Sequence, residues 1–264
     1  MTTVNDILTF MESFAPAYMQ EDWDNTGLLC GSRHQEVRKI LVALDPFETV
    51  CAEAVEAGAD LLITHHPLIF RSAKSVTDDT SIGRAIMTLI RSNISAINAH
   101  TNLDCAPGGV NDILAQKLGL DNIQVIAPKG TDSTGRQWGL LRCGTVVSQP
   151  IEQFLGQVKS ALGCKGLKYV DGGRPVCKVA VGGGACGGSL MEAYSAGCDT
   201  FVTSDLRYNQ FWDARDLGMN LIDAGHFYTE NPVCAVLADK LSQTFPEIQI
   251  LISQKHTDCA NFFL

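Results

Sequence analysis

The sequence predicts an α/β protein made of two similar α/β halves related by an internal duplication, and three observations carry that expectation. Residues 39–44 and 60–64 are short apolar runs of buried-strand type, and they flank a helical stretch at 48–57 that is closed by Gly58. Laid without gaps on that segment, residues 178–203 repeat Lys39, Val42, Glu53, Ala54, Ala57, Gly58, Asp60 and Thr64 as Lys178, Val181, Glu192, Ala193, Ala196, Gly197, Asp199 and Thr203. Three apolar runs, finally, lead straight into histidines, and parallel strands carry their functional residues at their carboxyl ends.

The remaining elements follow in chain order. Thr3 followed by Asp6 is a capping pattern, and Val4, Ile7, Leu8, Met11 and Phe14 recur at helical spacing, so a helix is expected over 3–14, ended by Pro16. Residues 21–31 read as a polar turn leading into a short strand, with Trp23 packed and Asn25 a candidate pocket residue. Residues 81–91 predict a helix, 94–98 a strand and 111–118 a helix. The signal weakens over 120–176, where 138–147 is strand-like, 151–162 helix-like and 167–170 strand-like. After the repeat come a strand at 219–223, a helix opened by Pro232 and running to 241, and a strand at 248–252. The expected division is one α/β half at 1–126 and a second at 127–264, with 127–176 as a connecting region.

Composition removes several classes of function. With 45% hydrophobic and 19% charged residues the chain of 264 residues is that of a folded protein. A net charge of −9 without any cluster of Lys and Arg argues against a nucleic acid partner, because phosphate backbones demand concentrated positive charge. No basic region precedes an apolar stretch at the N-terminus, and no run has the length to cross a bilayer, so a cytoplasmic protein without a membrane partner is expected. The ten cysteines form no C-x-x-C pair and read as reduced, small hydrophobes; Cys105 and Cys186 stand out only by neighbouring the motifs below.

Chemistry is concentrated at the strand ends. His65 and His66 end one run, His100 with Asp104 another, and His226 with Glu230 a third; Asp205 occupies the place of His66 in the second repeat. Pro67 stops the strand, so both neighbouring imidazoles can turn to one side, an arrangement that suits two divalent ions about 3.5 to 4 Å apart. Carboxylates add bridging oxygens and negative charge, and Asp104 and Glu230 are the candidates to bridge. His34 and His256 lack such neighbours and are read as surface residues. The glycine run Gly182-Gly183-Gly184, with Gly187 and Gly188, offers either phosphate contact or close backbone packing, but matches no complete phosphate-loop motif.

Taken together, Asp24-Asn25-Thr26-Gly27-Leu28, Thr64-His65-His66-Pro67, His100-Thr101-Asn102-Leu103-Asp104, Gly182-Gly183-Gly184, Thr203-Ser204-Asp205 and Gly225-His226-Phe227-Tyr228-Thr229-Glu230 resemble the NGG-interacting-factor-three-like family, whose members are often labelled type 2 GTP cyclohydrolase I homologues. The motifs run in family order over essentially the whole chain. The resemblance implies a two-domain α/β fold with a dinuclear metal site in the cleft between the halves, and a homo-oligomer in the form of a hexameric ring. By motif, His65, His66, Asp104, His226 and Glu230 are the implied ligands of two divalent ions (iron, zinc, manganese or nickel), with His100 as a near neighbour. The chain departs from the pattern in lacking the inserted middle domain of larger members and in carrying Asn209 after Tyr208, where many members have histidine.

The functional expectation is a metal-dependent hydrolase, or a hydrolase-like protein, acting on a phosphorylated or nucleotide-type small molecule through activated water, with His100 or Asp205 as proton shuttle. Three alternatives stand beside it: GTP cyclohydrolase activity, which rests on the family label, a non-catalytic metal-binding regulator or assembly factor, and a nucleotide-binding regulator using the glycine run.

Overall fold

A computed structural model describes residues 1–263. Helix α1 (Val4–Phe14) starts with a complete capping box, the Thr3 hydroxyl accepting from the Asp6 backbone N–H while the Asp6 carboxylate accepts from Thr3, and it buries Val4, Ile7 and Met11. Next come β1 (Gly27–Cys30), β2 (Lys39–Ala43), α2 (Glu48–Ala57), β3 (Leu61–Thr64), α3 (Ser81–Arg91), β4 (Ser95–Asn98) and the single turn α4 (Thr101–Cys105). Every residue of β3 and β4 is buried, the polar Thr64, Ser95 and Asn98 included, as in strands covered on both faces.

The chain continues through α5 (Val110–Lys117), β5 (Asp121–Ile126), the short hairpin β6 (Gly130–Thr131) and β7 (Gln137–Trp138), and the long strand β8 (Leu141–Gln149). Then follow α6 (Ile151–Leu162), β9 (Lys168–Val170), β10 (Val176–Val181), α7 (Leu190–Ser195), β11 (Thr200–Thr203), α8 (Tyr208–Asp216), β12 (Asn220–Asp223) and α9 (His226–Glu230). Helix α10 (Pro232–Thr244) and strand β13 (Gln249–Ile252) close the sequence of elements.

These elements form two compact units, one of residues 1–103 with 233–257, the other of residues 104–232 with 258–263. The first holds a five-stranded sheet in the order β1-β4-β3-β2-β13, parallel except for β1. Its core gathers Leu41, Val50, Leu62, Ile86 and Leu89 beneath α2 and α3. The second holds a six-stranded sheet in the order β5-β8-β10-β11-β12-β9, in which β10, β11 and β12 run parallel and the outer strands antiparallel. Phe154, Val179 and Ile222 pack on one of its clusters and Phe201, Leu190 and Leu221 on another.

The units do not follow the chain as the division at residue 126 expects. The last strand returns to the first unit, where β13 pairs in parallel with β2, placing Ile250 beside Ile40. A strand's partner depends on register and burial, and nothing in the composition of 248–252 names β2 as its neighbour. The middle region also carries more structure than its weak signal predicts: β5 and β8 supply two strands of the second sheet, and Arg142 on β8 is buried. That guanidinium pairs with Asp112 at 2.7 Å and donates to the carbonyls of Gly139, Cys105 and Ala106, bracing the segment that follows α4.

Candidate metal centre

In the first unit β3 ends at Thr64, and the Thr64 hydroxyl donates to the His66 carbonyl at 2.7 Å, shaping the turn that Pro67 enforces. His65 and His66 therefore leave the pleat and turn to the same side. Their ring centroids lie 4.9 Å apart, and His100, just after β4, joins them at 5.2 Å from His65 and 5.5 Å from His66. One ring nitrogen from each of the three falls within 4.8 Å of the others, a spacing fit for a metal ion.

Hydrogen bonds decide which nitrogen faces that point. His65 Nδ1 lies 2.9 Å from the Ala99 carbonyl, which only accepts, so Nδ1 carries the proton and Nε2 the lone pair. His66 Nδ1 is 2.6 Å from Asp45, and His100 Nδ1 is 2.8 Å from Asp24. Metal-ligating histidines are held in this way, by a carbonyl or carboxylate on the far nitrogen, which fixes the ring and raises its basicity.

The two carboxylates are themselves held. Burial works against ionised Asp24, yet hydrogen bonds from His100 and from the Thr101 hydroxyl and backbone outweigh it and keep its pKa down at about 2. Burial likewise opposes ionised Asp45, and bonds from His256 and His66 hold its carboxyl well below the usual range. His256 Nε2 sits 2.8 Å from Asp45, with its side chain 6% exposed, so the histidine expected at the surface is instead the far end of a His66–Asp45–His256 chain. Trp23, expected to pack, is 60% exposed and sets its edge against Phe70 and His100.

The second unit presents oxygen and nitrogen together. His226 and Glu230 occupy one turn of α9, where residues four apart share a face, and His226 Nε2 lies 3.0 Å from a Glu230 carboxylate oxygen. The His-x-x-x-Glu spacing is thus a helical one. The same holds for His100 and Asp104 in sequence, since α4 begins right after His100 and carries buried Asp104. His226 Nδ1 is 2.7 Å from Asp205, whose backbone takes the left-handed φ of 52°. Asp tolerates that conformation better than most residues, and at a strand end it turns the carboxylate back toward His226.

The glycine run packs against this pair. Gly184, at φ 63°, has no room for a Cβ, which would collide with Glu230 and come within 3.1 Å of His226 Nε2. The Gly183 and Gly184 N–H groups donate to Asn111 and to the Thr229 hydroxyl, and that of Cys186 to Thr203, so these amides serve the fold. Burial, with the nearby Asp104 and Glu230 carboxylates, pushes the Cys186 thiol well up, leaving a neutral thiol that donates to the Gly183 carbonyl. Asn209 is exposed and donates to the Asp213 carboxylate at 3.3 Å.

Residues 2–259 match the family model described as Duf34/NIF3 (NGG1p interacting factor 3). The chain belongs to the Duf34/NIF3 family. A relative in Clostridium perfringens, named GTP cyclohydrolase 1 type 2 homolog, is 35% identical over 98% of this chain and 99% of its own length. A relative of the same name in Clostridium acetobutylicum is 33% identical over 98% of both chains. Among solved structures, a Bacillus cereus protein related to NIF3 superposes with a TM-score of 0.93 at 27% identity, covering 100% of this chain and 99% of the other. A Staphylococcus aureus hypothetical protein does so with 0.92 at 29%, covering 99% of each. Family membership and the α/β fold expected from sequence are thereby established. Within this Duf34/NIF3 chain, imidazole and carboxylate donors are grouped closely enough to hold a metal ion.

Sequence reasoning missed Asp24 and Asp45 as supporting groups, and misplaced His256. Asp45 had a signal, since it follows β2 by two residues as His66 follows β3. Asp24 lies in a turn where polar residues are ordinary, and for His256 the sequence holds none.

Proposed function

We propose that the protein is a hydrolase dependent on two divalent ions, acting on a phosphorylated or nucleotide-type small molecule, with His65, His66, Asp104, His226 and Glu230 as ligands. The observation that carries this reading is that the ligand histidines His65, His66 and His226 each have Nδ1 committed to a carbonyl or carboxylate, the arrangement that presents Nε2 to a metal. Iron, zinc, manganese or nickel would suit the donor set, and such ions supply Lewis-acid activation of water and charge neutralisation.

The chain's own residues do the rest. His100, its Nδ1 pinned to Asp24, offers Nε2 as proton acceptor, and the carboxylate steadies the imidazolium that results. Asp205 acts through His226 as a positioning residue, fixing ring and tautomer. The names of the relatives suggest GTP as one substrate. A hexameric ring and a cytoplasmic location complete the proposal; sizing chromatography giving a monomer would contradict the ring.

The test is turnover of a phosphodiester, a phosphomonoester and GTP by metal-loaded protein, with a chelator control. Chelator-sensitive hydrolysis of either ester supports the proposal. Conversion of GTP alone would move the protein to cyclohydrolase chemistry, and bound metal without turnover would make it a metal-binding regulator or assembly factor.

A further inference from the structure

Beside His66, and wholly within the first unit, lies a cavity of about 290 Å³ to which no role has been given. Its apolar walls are Pro46, Phe47, Pro67, Leu68, Phe70 and Ile82, the last from the first turn of α3. The size is near the lower limit for small-molecule pockets and suits one ring with a short substituent.

The charges around it are already matched. Asp45 is bonded by His66 and His256, and Glu48 takes Arg84 through both oxygens, at 2.9 and 2.8 Å. Among the described residues no Lys or Arg lines the cavity, so a phosphate placed there would meet the Asp45 and Glu48 carboxylates without a lining Lys or Arg. A cationic ligand would have to compete with partners those carboxylates already hold.

The aromatic walls are exposed yet anchored. Phe47 is 60% exposed and stacks on His256, with centroids 5.9 Å apart and planes 23° from parallel. Phe70 is 43% exposed and is held edge-on by Trp23 at 5.8 Å and His100 at 6.1 Å. Exposed phenyl rings held in place are preformed walls, offering faces and edges to a planar partner at little ordering cost.

We infer that this cavity receives an uncharged aromatic ring of the substrate, joined to the group that is hydrolysed at His66. The inference rests on the hydrolase reading above for the position of the reacting group, while ring binding itself is independent of turnover. It sets the charged part of the substrate outside the cavity and makes Phe47 and Phe70 specificity-determining residues.

Two arms test it on the full chain loaded with zinc. In the first, saturation-transfer NMR measures binding of benzyl alcohol, cyclohexylmethanol and benzyltrimethylammonium. Benzyl alcohol should bind best, and Phe47→Ala and Phe70→Ala, shown to be folded by circular dichroism, should each weaken it about five-fold. Equal or tighter binding of the aliphatic or cationic probe, or indifference to both substitutions, would overturn the inference. In the second arm, phenyl and methyl 4-nitrophenyl phosphodiesters share a leaving group. The phenyl ester should be favoured about ten-fold in kcat/KM, a ratio that Phe47→Ala should bring toward unity. Equal turnover of the two esters by the unaltered protein would also overturn it, whereas turnover of neither, with zinc bound, strikes the hydrolase reading and leaves the first arm to decide the cavity.

Discussion

The strand-helix-strand segment of the first unit, β2-α2-β3, and that of the second, β10-α7-β11, solve the same structural problem with the same residues and end in different chemistry. Lys39 Nζ caps the Ala57 carbonyl at 2.6 Å, and Lys178 Nζ caps that of Ala196 at 2.6 Å. Asp60 accepts from the backbone of Arg38 and Lys39, as Asp199 does from that of Cys177 and Lys178. Gly58 and Gly197 both end their helices with left-handed φ, 62° and 77°. Register agrees as well: Ile40 faces Leu61, and Val179 faces Thr200.

Past the strands the segments part. The first unit places His65 and His66 at the end of β3, and the second places Ser204 and Asp205 at the end of β11. Where the first has Asp45 to hold His66, the second has Gly184, whose bare backbone makes room for Glu230 and His226. The helices differ for a related reason. Gly187, Gly188 and Ser189 stand where α2 has Glu48, Thr49 and Val50, and their low helix propensity leaves a 3-10 turn ahead of the shorter α7. Residues that hold the scaffold are matched, while those at the strand ends differ.

Four tests break or sharpen this comparison, in falling order of effect. Gly184→Ala should be the most damaging, because a Cβ both strains the backbone by about 1–3 kcal/mol and displaces Glu230. Its neighbour Gly188, with open space around it, should accept Ala with little change. Thermal unfolding and metal titration of the two variants measure the contrast.

Removing the supporting carboxylates should weaken metal binding by about 10–100-fold. Asp45→Ala, which releases both His66 and His256, belongs near the upper end of that range. Asp205→Ala, at a side chain 55% exposed, belongs near the lower end. Chelator competition gives both constants; equal losses would mean that the two units orient their histidines with equal force.

Asp60→Ala and Asp199→Ala should each cost about 1–3 kcal/mol by leaving two backbone N–H groups without an acceptor. Read in urea unfolding, the two costs should be of similar size, with Asp199→Ala the larger because Asp199 also accepts from the Thr200 hydroxyl at 2.8 Å. A large disparity would break the claim that the scaffolds are equivalent.

The smallest effect is on acid stability. The Asp24 pKa is depressed in the folded protein to about 2, so its contribution is complete above the ordinary carboxyl pKa near 4 and is lost as pH falls from there through about 2. Asp24→Asn should flatten that part of the stability profile in the metal-free protein.

What the sequence made legible follows from the range of the forces involved. Helix caps, apolar periodicity and strand runs are local, so α1, α2, β3 and α6 could be placed within a residue or so of their observed bounds. The histidines at the strand ends were legible because six are few and four stand in one kind of place. The pairing of β13 with β2, the burial of Arg142 and the reach of His256 to Asp45 are contacts between distant segments, and no local pattern encodes them. The helical turn of His226–Glu230 lay between these cases, since the spacing was visible while the conformation was not.

Elemental analysis of protein purified without chelators or a metal-affinity tag, alongside His66→Ala and Glu230→Ala, tests the central claim most directly. The account predicts two divalent ions per chain, and loss of bound metal in each variant. Intact stoichiometry in both variants would contradict it.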